Sequence, residues 1–142
     1  MAEGELELRC VIEIMGKPKE AVTDSLKKIT NSIEENGKKL EVSDVEYADP
    51  QEVKDGFFSS YSKFKIKGDV MDLFGFVMDY APSSIELLSQ KEVKLSAADL
   101  QGLLNDLSGR MTDMDQKIKI FSGQTILLSQ QLEELKKKTI NS

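Results

Sequence analysis

The sequence predicts an α+β fold, with a two-layer body over residues 1–95 and a long amphipathic helix over residues 96–142. Three observations carry this reading. Apolar and polar residues alternate from Glu5 to Met15, as in a strand with one buried face. Two stripes at helical spacing, 22–33 and 70–78, lie between strand-like segments. The last third then repeats every seven residues.

In the first element Leu6, Leu8, Cys10, Ile12 and Ile14 share one face, opposite Glu5, Glu7, Arg9, Val11 and Glu13. Gly16-Lys17-Pro18 breaks the strand, and Pro18 suits a first helical turn because its missing N–H would be unpaired there anyway. Val22, Leu26, Ile29 and Ile33 form one face of a first helix, which Gly37 is expected to cap. A second strand spans about Lys38 to Ala48. Its apolar parity switches between Leu40/Val42 and Val45/Tyr47, which predicts a bulge at Ser43-Asp44.

Asp49 to Gly56 reads as a loop. Phe57 to Lys67 reads as a third strand, with Phe58, Phe64 and Ile66 on one side and Phe57 and Tyr61 on the other. Gly68-Asp69 supplies a break and an N-cap. Val70, Leu73, Phe74, Val77 and Met78 then make a second helical stripe that ends before Pro82, and a fourth strand covers about Ser84 to Leu95. This order of elements is that of the ferredoxin-like βαββαβ sandwich, an antiparallel sheet with both helices on one face.

The heptads set the character of the tail. Leu100, Leu107, Met114, Phe121, Leu128 and Leu135 take the d positions. Ala97, Leu104, Met111, Ile118, Thr125 and Leu132 take the a positions, so Thr125 alone interrupts an apolar seam. Ser96-Ala97-Ala98-Asp99 resembles a capping box, and no proline follows Pro82. Gly102, Gly109 and Gly123 all fall at f, the outermost position. A single helix is favoured over a hairpin turning at Ser122-Gly123, since the heptad phase runs through that dipeptide. The seam predicts self-association, and Ile120, Ile126 and Leu127 add apolar surface outside it that favours more than two helices there, or docking against another surface.

Composition narrows the function. The chain has 142 residues, 39% hydrophobic and 31% charged, and a net charge of −6 carried by residues 1–94, which repels phosphate backbones. No apolar run reaches the roughly 18 residues of a membrane span. The start of the chain lacks the basic end of a signal peptide, so a cytoplasmic, non-membrane protein is expected. The absence of His and the single Cys10 leave no imidazole base and no thiolate cluster. Cys10, on the apolar parity of its strand, reads as a buried inert thiol. No catalytic residues, metal or cofactor are expected.

The order of elements is shared with the RNA-recognition fold. There the segment from Asp55 to Tyr61 lacks the leading basic residue and the second aromatic of that fold's signature, and nucleic acid is not an expected partner. Ile14, Gly16, Pro18, Val22, Leu26 and Ile29, followed by Glu34-Glu35-Asn36-Gly37, resemble ACT-like regulatory modules over about a quarter of the chain. That resemblance implies a small ferredoxin-like domain that binds amino acids or similar ligands at the strand-helix junction. Here the junction is Gly16, Lys17 and Pro18, without the Pro-Gly pair common in those modules, and Asp49 joins it as a candidate polar residue. Three functions follow in order: a non-enzymatic oligomeric assembly or adaptor protein, an ACT-like sensor of small molecules, and an enzyme working through carboxylates.

Overall fold

The computed structural model describes residues 4–35 and 39–141 and shows a mixed α+β fold with an antiparallel sheet and a long C-terminal helix. The chain divides into two compact units, residues 1–95 and 96–142. In the first unit the elements are β1 (Glu5–Gly16), α1 (Lys19–Glu35), β2 (Glu41–Tyr47), β3 (Gln51–Lys54), β4 (Phe57–Asp69), α2 (Val70–Tyr80) and β5 (Ser84–Leu87). The second unit is one helix, α3 (Ala97–Asn141). The Gly37 cap and the start of the second strand at Lys38 lie outside the described residues.

The strand order is β2-β4-β1-β5, with β3 also paired to β4. β1 and β4 are the long central pair, in register from Glu5↔Asp69 to Gly16↔Phe58. The alternation in β1 buries Leu6, Leu8, Cys10 and Ile12 on the helix-covered face. Opposite residues of an antiparallel pair share a face, so Phe64 and Ile66 of β4 join them. Leu26 and Ile33 of α1 and Leu73 and Phe76 of α2 complete this core.

The stripe of α2 is rotated from the one read in the sequence. Phe76 is fully buried, while Phe74 and Met78 are only half-buried. The reason is aromatic packing: Phe76 meets Phe64 edge-on at 6.1 Å between centroids and stacks on Tyr80 at 5.3 Å. Two polar contacts also cross the layer. Thr30 Oγ1 donates to the Leu26 carbonyl at 2.9 Å and lies 3.1 Å from the buried Ser62 Oγ, while Ser32 Oγ lies 2.8 Å from the Tyr80 hydroxyl.

Three strand boundaries differ from the expectation. The loop expected from Asp49 to Gly56 contains β3, joined to β4 by a two-residue turn at Asp55-Gly56, both at positive φ. Asp-Gly is the preferred pair for such a hairpin, and that local chemistry outweighs the polar composition of the segment. The break expected at Gly68 is also absent, because Gly68 pairs with Leu6 inside β4. A Cβ there would stand 2.6 Å from Leu40 Cδ2, so glycine is needed for close approach. The last strand stops at Leu87 instead of Leu95. Its register on β1 places position 90 opposite Glu5, the first residue of β1. Residues 88–90 follow β1 through three hydrogen bonds: Leu88 N–H to the Glu7 carbonyl, Glu7 N–H to Ser89 Oγ, and Gln90 Nε2 to the Glu5 carbonyl.

In β2 the register shifts between Ser43 and Glu46, so Asp44 and Val45 both stand opposite Phe64. This is the bulge implied by the parity switch at Ser43-Asp44. Asp69 ends β4 and caps α2, its side chain accepting the Asp72 N–H at 2.8 Å. At the other end of α2, Ala81 sits in the left-handed region at φ 46 and donates its N–H to the Val77 carbonyl.

The second unit runs unbroken for 45 residues, about 68 Å at 1.5 Å per residue. There is no turn at Ser122-Gly123. Ser96 opens the helix by accepting the Asp99 N–H on Oγ at 3.1 Å. Gly102, Gly109 and Gly123 weaken it by about 1 kcal/mol each relative to alanine.

Two substitutions in the body should act in opposite directions. Gly68→Ala forces the pinned Leu40 to move and should cost about 1–3 kcal/mol. Ala81→Gly relieves a left-handed alanine and should stabilise by up to about 1 kcal/mol. Urea unfolding of the two variants beside the wild type checks both signs.

Candidate functional site

The residues expected at the strand-helix junction do not converge on one pocket. Gly16 is the last paired residue of β1, opposite Phe58. Lys17 turns its ammonium onto the Phe57 ring, with Nζ 4.5 Å from the centroid, a cation–π contact. Pro18 offers its carbonyl to the N–H groups of Ala21 and Val22 and so starts α1. Asp49 lies apart from these three, in a groove of about 790 Å³ on the open face of the sheet.

That groove is built by strand parity. Glu13 and Met15 of β1 stand opposite Tyr61 and Ser59 of β4, and Ser59 stands opposite Gln51 of β3. All of these side chains therefore lie on the face away from the helices. Asp49 and Val53 also line it, as do Ile14, Ala48 and Ser60. Ser60 fixes the approach to it, donating its hydroxyl to the Ala48 carbonyl at 2.7 Å. The floor is partly apolar: Met15 is 66% exposed, Val53 57% and Tyr61 46%. Parity alone places Met15 and Tyr61 on the open face. The third wall was missed because it belongs to β3, and only the Asp55-Gly56 dipeptide signals that strand.

Further along the same face the side chains are charged. Glu7, Arg9 and Val11 of β1 stand opposite Lys67, Lys65 and Lys63 of β4, and these lysines face Glu41, Ser43 and Glu46 of β2. Arg9 opposite Lys65 is a like-charge pair, which is unfavourable by itself. Each cation turns outward to its own acid. Arg9 Nη1 is 3.1 Å from Glu86 Oε2 on β5, and Lys65 Nζ is 3.2 Å from Asp44 Oδ2 in the bulge. These exposed ion pairs contribute at most about 1 kcal/mol each. Among the described residues no group of three His, Cys, Asp or Glu is placed to hold a metal ion.

Cys10 is fully buried beneath the helices, and burial pushes its thiol up to about 11. A thiol in that state carries almost no nucleophilic thiolate near neutral pH.

In the second unit the seam residues lie in the open. Leu100, Leu104, Leu107, Met111, Met114 and Ile118 are exposed, as are Phe121, Leu128, Leu132 and Leu135, with Phe121 and Leu128 at 65%. Thr125 satisfies its hydroxyl on its own helix by donating to the Phe121 carbonyl at 2.8 Å. Lys117 pairs with Asp113 at 3.1 Å and Lys119 with Asp115 at 2.8 Å, both one turn apart. Among the described residues no helix is long and apolar enough to cross a membrane. The exposed stripe is the largest unsatisfied apolar surface of this helix, far beyond the scattered residues a solvated surface carries.

Comparison with known proteins gives one assignment. The family model described as the MJ0538 family matches residues 7–140, nearly the whole chain, and the chain belongs to that family. No curated protein and no solved structure matches it.

The buried thiol has a measurable signature. In the unfolded chain Cys10 ionises near its ordinary 9.0, whereas in the fold it does so at about 11. The unfolded state therefore loses its proton first, and stability should fall as pH rises through the window between about 9 and 11. A Cys10→Val variant should lack this component of the alkaline loss, as read by urea titrations at several pH values. The native wild type should also react with an aromatic disulfide reagent at pH 8 only on unfolding.

Proposed function

We propose that this MJ0538-family protein is a non-enzymatic assembly or adaptor protein whose copies associate through α3. The observation that carries this is the seam: ten large apolar side chains repeat at heptad spacing along one helix, and all ten are exposed. Covering one such side chain is worth about 1.5–3 kcal/mol when it goes from full exposure to full burial, so even partial cover along the seam favours a helical partner strongly. A second copy provides the same stripe. A cytoplasmic location fits this reading, as does the reduced, buried thiol.

For the body we propose the ferredoxin-like arrangement. β2 and β3 pair with successive stretches of β4, so they act as one interrupted edge strand. Counted that way, four strands and two helices follow in the order strand-helix-strand-strand-helix-strand. This supports a body of the kind that pairs or presents surfaces to partners in many settings, and it assigns no chemistry by itself.

A second reading, an ACT-like sensor of small molecules, is supported by the groove beside the end of β1. It joins a carboxylate, Asp49, to apolar surface from Met15 and Tyr61, which is the mixture that a small amphiphilic ligand needs.

Met114→Glu combined with Phe121→Glu in the full chain should reduce the mass seen by light scattering to that of a monomer, with helicity by circular dichroism retained since glutamate is a good helix former. An unchanged mass would refute the assembly reading. For the sensor reading, thermal shifts with a panel of amino acids and nucleotides should show stabilisation by at least one compound that Asp49→Asn removes. A flat panel would exclude it.

A further inference from the structure

The outward charge and the side-chain volumes of α3 together give its pairing a direction. From Ala97 to Asp115 the helix carries Asp99, Asp106, Asp113 and Asp115 against Arg110, a net charge of −3. From Gln116 to Asn141 it carries Lys117, Lys119 and Lys136–Lys138 against Glu133 and Glu134, a net charge of +3. Resting on the self-association reading above, we propose that the seam of α3 is covered by a second α3 running antiparallel, with the twofold axis level with Gln116, and that Ile120, Ile126 and Leu127 lie outside this pairing as surface for further contacts.

That register leaves no seam residue unmatched. With the axis at 116, every a residue of one copy meets a d residue of the other. Ala97 meets Leu135, Thr125 meets Leu107, and Met111 meets Phe121. Each small or polar residue is thus set against a large one. In the parallel arrangement the same residues meet themselves: Ala97 and Thr125 form two thin layers, and the Phe121 pair forms a thick one next to the Thr125 layer. Uneven layers leave voids or crowding, and both are unfavourable in a packed core.

The charges point the same way. Helices in contact are about 8–10 Å apart, comparable to the screening length at physiological salt. Antiparallel pairing therefore brings the −3 half beside the +3 half, whereas parallel pairing sets like beside like. Parallel pairing does offer Arg110 to Asp115 of the other copy, but Lys119 already holds that carboxylate at 2.8 Å. Near the axis of the antiparallel pair Lys117 faces its own copy, as does Asp115. Each enters with its charge already countered within its own helix, by Asp113 and Lys119 respectively.

Spin-label distance measurements on the full chain test this directly, because the only native thiol, Cys10, is buried. A label at Gln116→Cys lies level with the axis, on the outer side of each helix. It should give a distance of roughly 20 Å, set by the interhelical spacing and the helix radius. A label at Gln130→Cys is displaced from its counterpart along the axis by about 42 Å in the antiparallel pair, for a separation near 45 Å, but by nothing in the parallel pair, which again gives roughly 20 Å. A short distance at 116 with a long one at 130 is the expected result. Short distances at both positions would overturn the orientation while leaving self-association standing. A monomeric mass with no distance at either position would overturn both.

Discussion

The twelve-residue pairing of β1 with β4 is the constraint on which the body depends. Because paired residues share a face, that single register decides which side chains of both strands meet the helices and which meet water. Sliding β4 by one residue against β1 would turn Phe64 and Ile66 outward and bring Lys63 and Lys65 into the core beside Cys10. Burying two unpaired cations is far more costly than any local gain such a shift brings, so the register has no near competitor. The helices add a second lock from above. The Thr30–Ser62 contact and the edge-on Phe64–Phe76 contact both need residues on even-numbered positions of β4, and both would be lost in the shifted arrangement.

The open face shows how a sheet with one solvated side handles its charge. A column of three lysines on β4 lies between acidic residues of β2 and a mixed row on β1. Where two cations fall opposite each other, they are drawn apart by acids supplied from outside the central pair, one of them in the bulge of β2. The bulge therefore has an electrostatic use besides adjusting parity. Toward the end of β1 this face becomes apolar, and that gradient gives the groove beside Asp49 its mixed character.

Much of the fold was legible in the sequence wherever a period ran long enough. The alternation in β1, the bulge at Ser43-Asp44, the cap at Asp69 and the phase of the α3 heptads all correspond to features of the structure. What escaped was set by partners distant in sequence. The face of α2 depends on Phe64, and the need for a glycine at 68 depends on Leu40. Neither can be read from a local window. The candidate site divides in the same way. The exposed stripe of α3 follows from spacing alone, whereas the groove depends on β3, a strand of four residues too short to declare itself by alternation.

The two margins of the sheet share a property with a consequence for the chain when it is crowded. At one margin β5 is only four residues long, and at the other the backbone is broken into β2 and β3, with a bulge inside the former. An uninterrupted strand margin is a template on which another chain can add by hydrogen bonding, the first step toward fibrous aggregates. Neither margin here offers such a template. At high concentration the body should therefore resist sheet-to-sheet growth at either margin.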